Sequence, residues 1–185
     1  MLMNGGVIAG LVLGLVTSFK PAWAPLTGPL YGVAEGLFLG GISAMLNASY
    51  PGVVVQAVLL TFGVALSMLA VYRARLVRVT DRFRLGVVAA TGGLCFIYLV
   101  TALLHGFGVR VPFIHQAGPL GIVFSLFVVG LAALNLVLDF DFIERGAQGG
   151  APHYMEWYGA FALMVTLVWL YIECLRLLVK FNSRD

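Results

Sequence analysis

The residues of this chain most able to do chemistry are four carboxylic acids set inside long apolar runs. Glu35 stands in Gly32-Val-Ala-Glu-Gly36, Asp139 and Asp141 in Leu136-Val-Leu-Asp-Phe-Asp-Phe-Ile-Glu144, and Glu173 in Trp169-Leu-Tyr-Ile-Glu-Cys-Leu-Arg176. An ionised side chain at the centre of a membrane helix costs about 2.5–3.5 kcal/mol on insertion scales, so an acid kept there is a functional candidate. Two neighbouring carboxylates in a low-dielectric setting do not both ionise easily and come to share a proton. Carboxylate oxygens are also the ligands calcium prefers, so protonation removes a ligand and a charge together. The chemistry on offer is proton-switched cation binding.

Each acid also has a bland explanation. Glu173 and Arg176 are three residues apart and can pair on one helical face. Asp141 and Glu144 can be solvated at the membrane edge, where an acid is cheap. Asp139 is harder to dismiss, because the apolar run from Leu120 to Leu138 leads straight into it. Glu35 is flanked on both sides by apolar or small residues.

The elements that must carry these acids are transmembrane helices. Of the 185 residues 61% are hydrophobic and 10% charged, and the mean hydropathy is +1.01, far from the roughly 25% charge of soluble domains. Six apolar runs are long enough to cross a core of about 30 Å as helix: Met3 to Phe19, Thr27 to Leu46, Gly52 to Tyr72, Leu85 to Leu104, Pro119 to Phe142 and Trp157 to Val179. Prolines, glycines and Asn47 punctuate the gaps. The expected architecture is an all-α, single-domain polytopic bundle spanning residues 1–185. Ala22-Trp23-Ala24 looks like a signal-peptide cleavage site, but the basic start of such a peptide is missing, so the first span is expected to be retained.

Arg73, Arg75, Arg78, Arg82 and Arg84 lie between the third and fourth spans, which makes that segment cytoplasmic by the positive-inside bias. Alternation then puts Lys20 and Arg145 on the same side and both termini outside, against the evidence of Arg176, Lys180 and Arg184. The net charge of +3 and the pI near 9.1 fit lipid headgroups better than nucleic acid. Gly6, Gly10 and Gly14, and again Gly32, Gly36 and Gly40, recur at the four-residue spacing that lets helices approach closely. Trp23, Tyr31, Tyr50, Tyr72, Tyr154, Trp157 and Tyr158 form the expected interfacial belt. Cys95 and Cys174 are expected to be free thiols. His105, His115 and His153 have no metal-binding spacing. No Ser/His, paired-Asp or metal-ligand spacing points to an enzyme, and no cofactor is expected.

A rise of about 1.5 Å per residue puts Glu35 roughly 12 Å from the cytoplasmic face, Asp139 roughly 6 Å from it if its helix ends near Ile143, and Glu173 about 24 Å away. By depth, Glu35 and Asp139 can meet, whereas a direct Asp139–Glu173 pair needs a broken or strongly tilted helix.

Three strings, LDFDFIERG (Leu138 to Gly146), GAPHYMEWYGAF (Gly150 to Phe161) and TLVWLYIECLRLL (Thr166 to Leu178), resemble the Bax inhibitor family, more narrowly its bacterial branch, as does PLYGVAEGLFLGGIS (Pro29 to Ser43). The resemblance covers essentially the whole chain. It implies a seven-span bundle with the last helix at the centre, of which this sequence shows six and would lack the first. It implies a multi-pass protein of the bacterial inner membrane acting as a pH-sensitive calcium leak, in which two acids on the last two helices share a proton and gate a pore. Asp139 matches the first of those acids. Glu173 resembles the second, commonly Asp, although an ungapped match puts Leu163 or Met164 there; Glu35 is the other candidate. Asp141 joins them as a candidate for the ion path, Asp139 and Glu173 as transient calcium ligands, and Lys20 or Arg176 as the cation that latches an acid. The alternative is a non-conducting regulatory protein whose cytoplasmic loops bind a membrane partner such as a quality-control protease.

Overall fold

The computed structural model describes residues 2–107 and 118–183. Among them there is no strand; the chain forms six α-helices, α1 (Leu2–Phe19), α2 (Ala24–Ser49), α3 (Val53–Arg73), α4 (Asp81–Gly106), α5 (Pro119–Gln148) and α6 (Tyr154–Asn182), with a 3-10 turn at Pro21–Trp23. Helices α2 to α6 are each long and apolar enough to cross a membrane, and α1 is a shorter apolar helix. Their outward surface is what lipid requires, with Leu11, Leu26, Leu59, Phe96, Leu120 and Phe127 all exposed. The chain is an integral, multi-pass membrane protein.

Local sequence explains the punctuation. Pro25 sits in the first turn of α2, where its missing N–H costs nothing, so the helix starts three residues before the apolar run. Gly52 caps α3 at φ +85°, a left-handed conformation that glycine adopts freely, and its N–H donates to Asn47 Oδ1 at 3.0 Å. After α5, Gly150 turns at φ +64°. The N–H groups of Gly150 and Ala151 return to the carbonyls of Ala147 and Gly146, a Schellman stop. Helix α5 therefore runs five residues beyond Ile143, through Glu144, Arg145 and Gln148.

Helix α6 occupies the middle of the bundle. It packs against α2, α3 and α5, and hydrogen bonds from Tyr98 and Arg176 tie it to α4. The core is formed by Val53 and Ala57 of α3, Ala132 and Leu136 of α5, and Leu170, Tyr171, Cys174 and Leu175 of α6. Helix α4 leans on α5 through Val87, Leu94, Val128 and Leu131, with Trp169 of α6 packed against the same cluster. Helix α1 lies along α2, where a Cβ on Gly6 would come within 2.7 Å of the Ala34 carbonyl oxygen and one on Gly14 within 3.5 Å of the Tyr31 ring. The first glycine stripe is thus a seam within the bundle. The second is one only at Gly32, which closes on Met164, while Gly36 and Gly40 have open space before them.

Antiparallel alternation collects Lys20 and the arginines of residues 73–84 at one end, here called the basic end. Arg176 and Lys180 point to the opposite end but lie within the bundle rather than in a loop, so they do not count against the positive-inside orientation, which concerns loop charges. Arg184 and His115 fall outside the described residues, as does the side chain of His105.

Candidate functional site

Asp139 sits nine residues before the end of α5, about 14 Å along the helix, deeper than a helix ending at Ile143 would put it. It is half-buried. One carboxylate oxygen, Oδ2, is fully buried with no hydrogen-bond partner. The polar side chain facing it is Thr166 of α6, whose hydroxyl also donates to the Ala162 carbonyl at 3.3 Å. Asp139 opens onto a cavity of about 940 Å³ between the basic ends of α4, α5 and α6, lined among others by Leu138, Phe142, Tyr158 and Ala162. A buried carboxylate oxygen without a donor is costly, and here it belongs to a residue that lines a cavity.

Two residues further along α5, a rotation of about 200° turns Asp141 to another face. Contrary to the expected solvated position, Asp141 is buried, 7% exposed, and paired with Arg84 at 2.8 Å and with Arg145 at 2.8 Å. The reason is the longer α5, which brings Arg145 one turn beyond Asp141 and carries both beside the start of α4. Glu144 accepts hydrogen bonds from Tyr72 and Gln148. Asp141 therefore fastens α4 to α5 and does not itself line the Asp139 cavity, although its partners Arg84 and Arg145 do.

Glu173 is 2% exposed. It accepts from Arg176 at 2.9 and 3.1 Å and from the Tyr98 hydroxyl at 3.2 Å, while Arg176 also donates to that hydroxyl at 2.9 Å. The pairing of Glu173 with Arg176 on one helical face is what the three-residue spacing allows. Because α6 is continuous and Asp139 faces Thr166, the two acids stand roughly 10 Å apart along α6, and the structure does not bring them together. Thr166 lies within a turn of Leu163 and Met164, the positions an ungapped family match would give the second acid.

Glu35 does not meet Asp139 either. It lies half-buried against α1, where a Cβ on Gly10 would come within 2.6 Å of its Oε1, and its polar neighbour is Tyr31, one turn earlier on α2. Depth alone had suggested a pair, but the side chain points to α1 rather than α5. Lys20 rests over the Trp23 ring at 4.6 Å and latches neither acid. His153 pairs loosely with Glu156 at 3.8 Å, both exposed. Cys95 and Cys174 are free thiols. Among the described residues no three acids, histidines or cysteines come together as a metal site.

The structure adds polar groups that sequence reasoning passed over. Lys180 is buried and donates to the Gly121 carbonyl at 3.0 Å and to Ser125 Oγ at 2.9 Å. Asn135 donates to Thr91 Oγ1 at 2.8 Å, joining α5 to α4. Arg84 is an ion-pair partner as well as an orientation charge. The available signal was the position of Asn135 and Ser125 inside an otherwise apolar α5, since polar residues there seek partners on neighbouring helices.

Residues 1–183 match the family model described as Bax inhibitor 1 like. No curated protein and no solved structure matches the chain. With a bundle of apolar helices packed around the last one, and a family match over nearly its whole length, the chain belongs to the Bax inhibitor 1 like family.

Proposed function

We propose that this protein is a pH-sensitive cation leak of the bacterial cytoplasmic membrane, with calcium as its cargo, and that protonation of Asp139 switches it. The observation that carries the proposal is the buried, unpartnered carboxylate oxygen of Asp139 beside the cavity at the basic end. A carboxylate there offers a hard oxygen ligand to an entering divalent cation. Taking up a proton removes both that ligand and the charge.

Polar groups continue beyond Asp139 toward the far end, through Thr166, then Glu173 with Tyr98 and Arg176, then Lys180 with Ser125. On this reading the Tyr98–Glu173–Arg176 cluster closes the far half of the route, where the Arg176 guanidinium would repel an approaching cation. Conduction therefore requires Arg176 to move aside, which exposes Glu173 as a second carboxylate on the same route. Helix α4, which packs chiefly on α5, is the element whose displacement takes Tyr98 away from the pair.

Purified protein in liposomes loaded with a calcium dye tests the proposal. Wild type should pass calcium with a clear pH dependence, Asp139→Asn should lose that dependence, and Glu35→Gln should keep it. Wild type with no flux above empty liposomes at any pH overturns the proposal.

A further inference from the structure

The basic end holds a second cavity, of about 560 Å³, between the α3–α4 connection and the last turns of α5, lined by Tyr72, Arg73, Arg75, Arg78, Glu144 and Arg145 among others. We infer that this cavity is a binding site for the phosphate of an anionic phospholipid headgroup from the leaflet it faces. The inference is independent of whether the protein conducts ions.

Charge accounting supports it first. Asp141 is paired with Arg84 and Arg145, whereas Glu144 keeps its charge while bonded to the neutral Tyr72 and Gln148, so a lining of Arg73, Arg75, Arg78 and Arg145 against Asp141 and Glu144 remains net positive. Arg73, Arg75 and Arg78 have no hydrogen bond or ion pair to any described side chain or carbonyl through their guanidinium groups. Three guanidiniums with no partner among the described residues thus line one pocket. Guanidinium presents planar paired donors that match phosphate oxygens and is desolvated more easily than ammonium.

The pocket is also built rather than loose. Arg145 reaches across it to donate to the Val79 carbonyl at 3.3 Å, pinning the connection to α5. The backbone turns back on α3 at Arg75, whose φ of 55° is unusual for a residue with a side chain, and the N–H groups of Arg75 and Leu76 return to the carbonyls of Tyr72 and Val71 at 2.9 and 3.1 Å. The backbone of the connection is therefore fixed before a ligand arrives, which lowers part of the ordering cost of binding.

Position selects a lipid over a soluble anion. The cavity lies where the apolar span of α3 ends, and Leu76, between the lining residues Arg75 and Val77, is an apolar side chain 76% exposed. A leucine so exposed beside an arginine pocket suits acyl chains below a phosphate. Cytoplasmic leaflets are the ones rich in anionic lipid, and the basic segment marks this end as cytoplasmic.

Native mass spectrometry of the full chain in mild detergent, supplied with equal amounts of phosphatidylglycerol and phosphatidylcholine, reads the selectivity. Wild type should retain phosphatidylglycerol preferentially. A triple Arg73→Gln, Arg75→Gln, Arg78→Gln variant should lose about a hundredfold in that preference, from roughly fivefold per cation. Arg82→Gln, outside the lining, should leave it unchanged. If the triple variant does not fold, Arg78→Gln alone should show the fivefold loss. Equal retention of the two lipids overturns the inference, as does an equal loss with Arg82→Gln. So does a site filled and saturated by inorganic phosphate with no lipid preference, or a co-purifying protein that is lost in the triple variant while lipid retention is unaffected.

Discussion

Replacing Arg176 by Gln removes the cation that hydrogen-bonds Glu173, a carboxylate that is almost wholly buried. The Glu173 side chain is 3% exposed and that of Arg176 35%, so the two ends of the pair are not equivalent. Breaking a buried pair from one side costs roughly 3–5 kcal/mol because the other charge is stranded. Here the guanidinium lies partly in the open and Tyr98 still donates to the acid, so Arg176→Gln should destabilise by about 2 kcal/mol. Glu173→Gln leaves an arginine that can turn to water, and should cost about 1 kcal/mol. The double variant strands nothing and should also cost about 1 kcal/mol, giving a coupling of about 2 kcal/mol between the two positions. Unfolding of the four purified proteins in one detergent, followed by tryptophan fluorescence, measures all of these. Additive single effects, or an Arg176→Gln protein as stable as wild type, would refute the assignment of this pair as a buried lock.

Other perturbations follow the same geometry. Asp141→Asn should destabilise by roughly 1–2 kcal/mol, discounted because Arg84 and Arg145 are half exposed. Thermal unfolding should show this loss persisting at high salt, since the acid itself is buried. Gly6→Ala and Gly10→Ala look alike in sequence and should differ in effect. At Gly6 the new methyl meets backbone, the Ala34 carbonyl at 2.7 Å and the Phe38 nitrogen at 3.1 Å, which cannot step aside, so about 1–3 kcal/mol is lost as α1 and α2 are forced apart. At Gly10 the obstacle is the end of the Glu35 side chain, which can rotate, and the same denaturation assay should register a smaller loss.

Much of the bundle was legible because each span is an uninterrupted apolar run ended by proline, glycine or asparagine. The errors lie where polar chemistry extends a helix beyond its apolar part. Helix α5 continues through Glu144, Arg145 and Gln148 because Glu144 and Arg145 find partners on α3 and the α3–α4 connection and Gln148 bonds back to Glu144, and that extension changes the depth of Asp139 and buries Asp141. The acids themselves stood out against hydrocarbon, but their partners did not. Depth can be estimated from residue counts, whereas the direction of a side chain depends on helix rotation, which a nearly uniform apolar helix does not reveal. Hence Glu35 and Asp139, close in depth, face different neighbours. Thr166, an unremarkable residue in sequence, is the side chain opposite Asp139. Glu173 with Arg176 was readable because both lie on one helix, where spacing fixes geometry.

Proton switching at Asp139 requires water to reach it from the basic end, and cysteine labelling at Ala162 tests this directly. Ala162 lines the same cavity and lies one turn before Thr166. In a Cys95→Ser background reconstituted in oriented vesicles, Ala162→Cys should react with a membrane-impermeant maleimide added at the basic side and stay unmodified when the reagent is confined to the other side. Protection from the basic side, with a cysteine at Arg78 labelling normally there, would contradict the account.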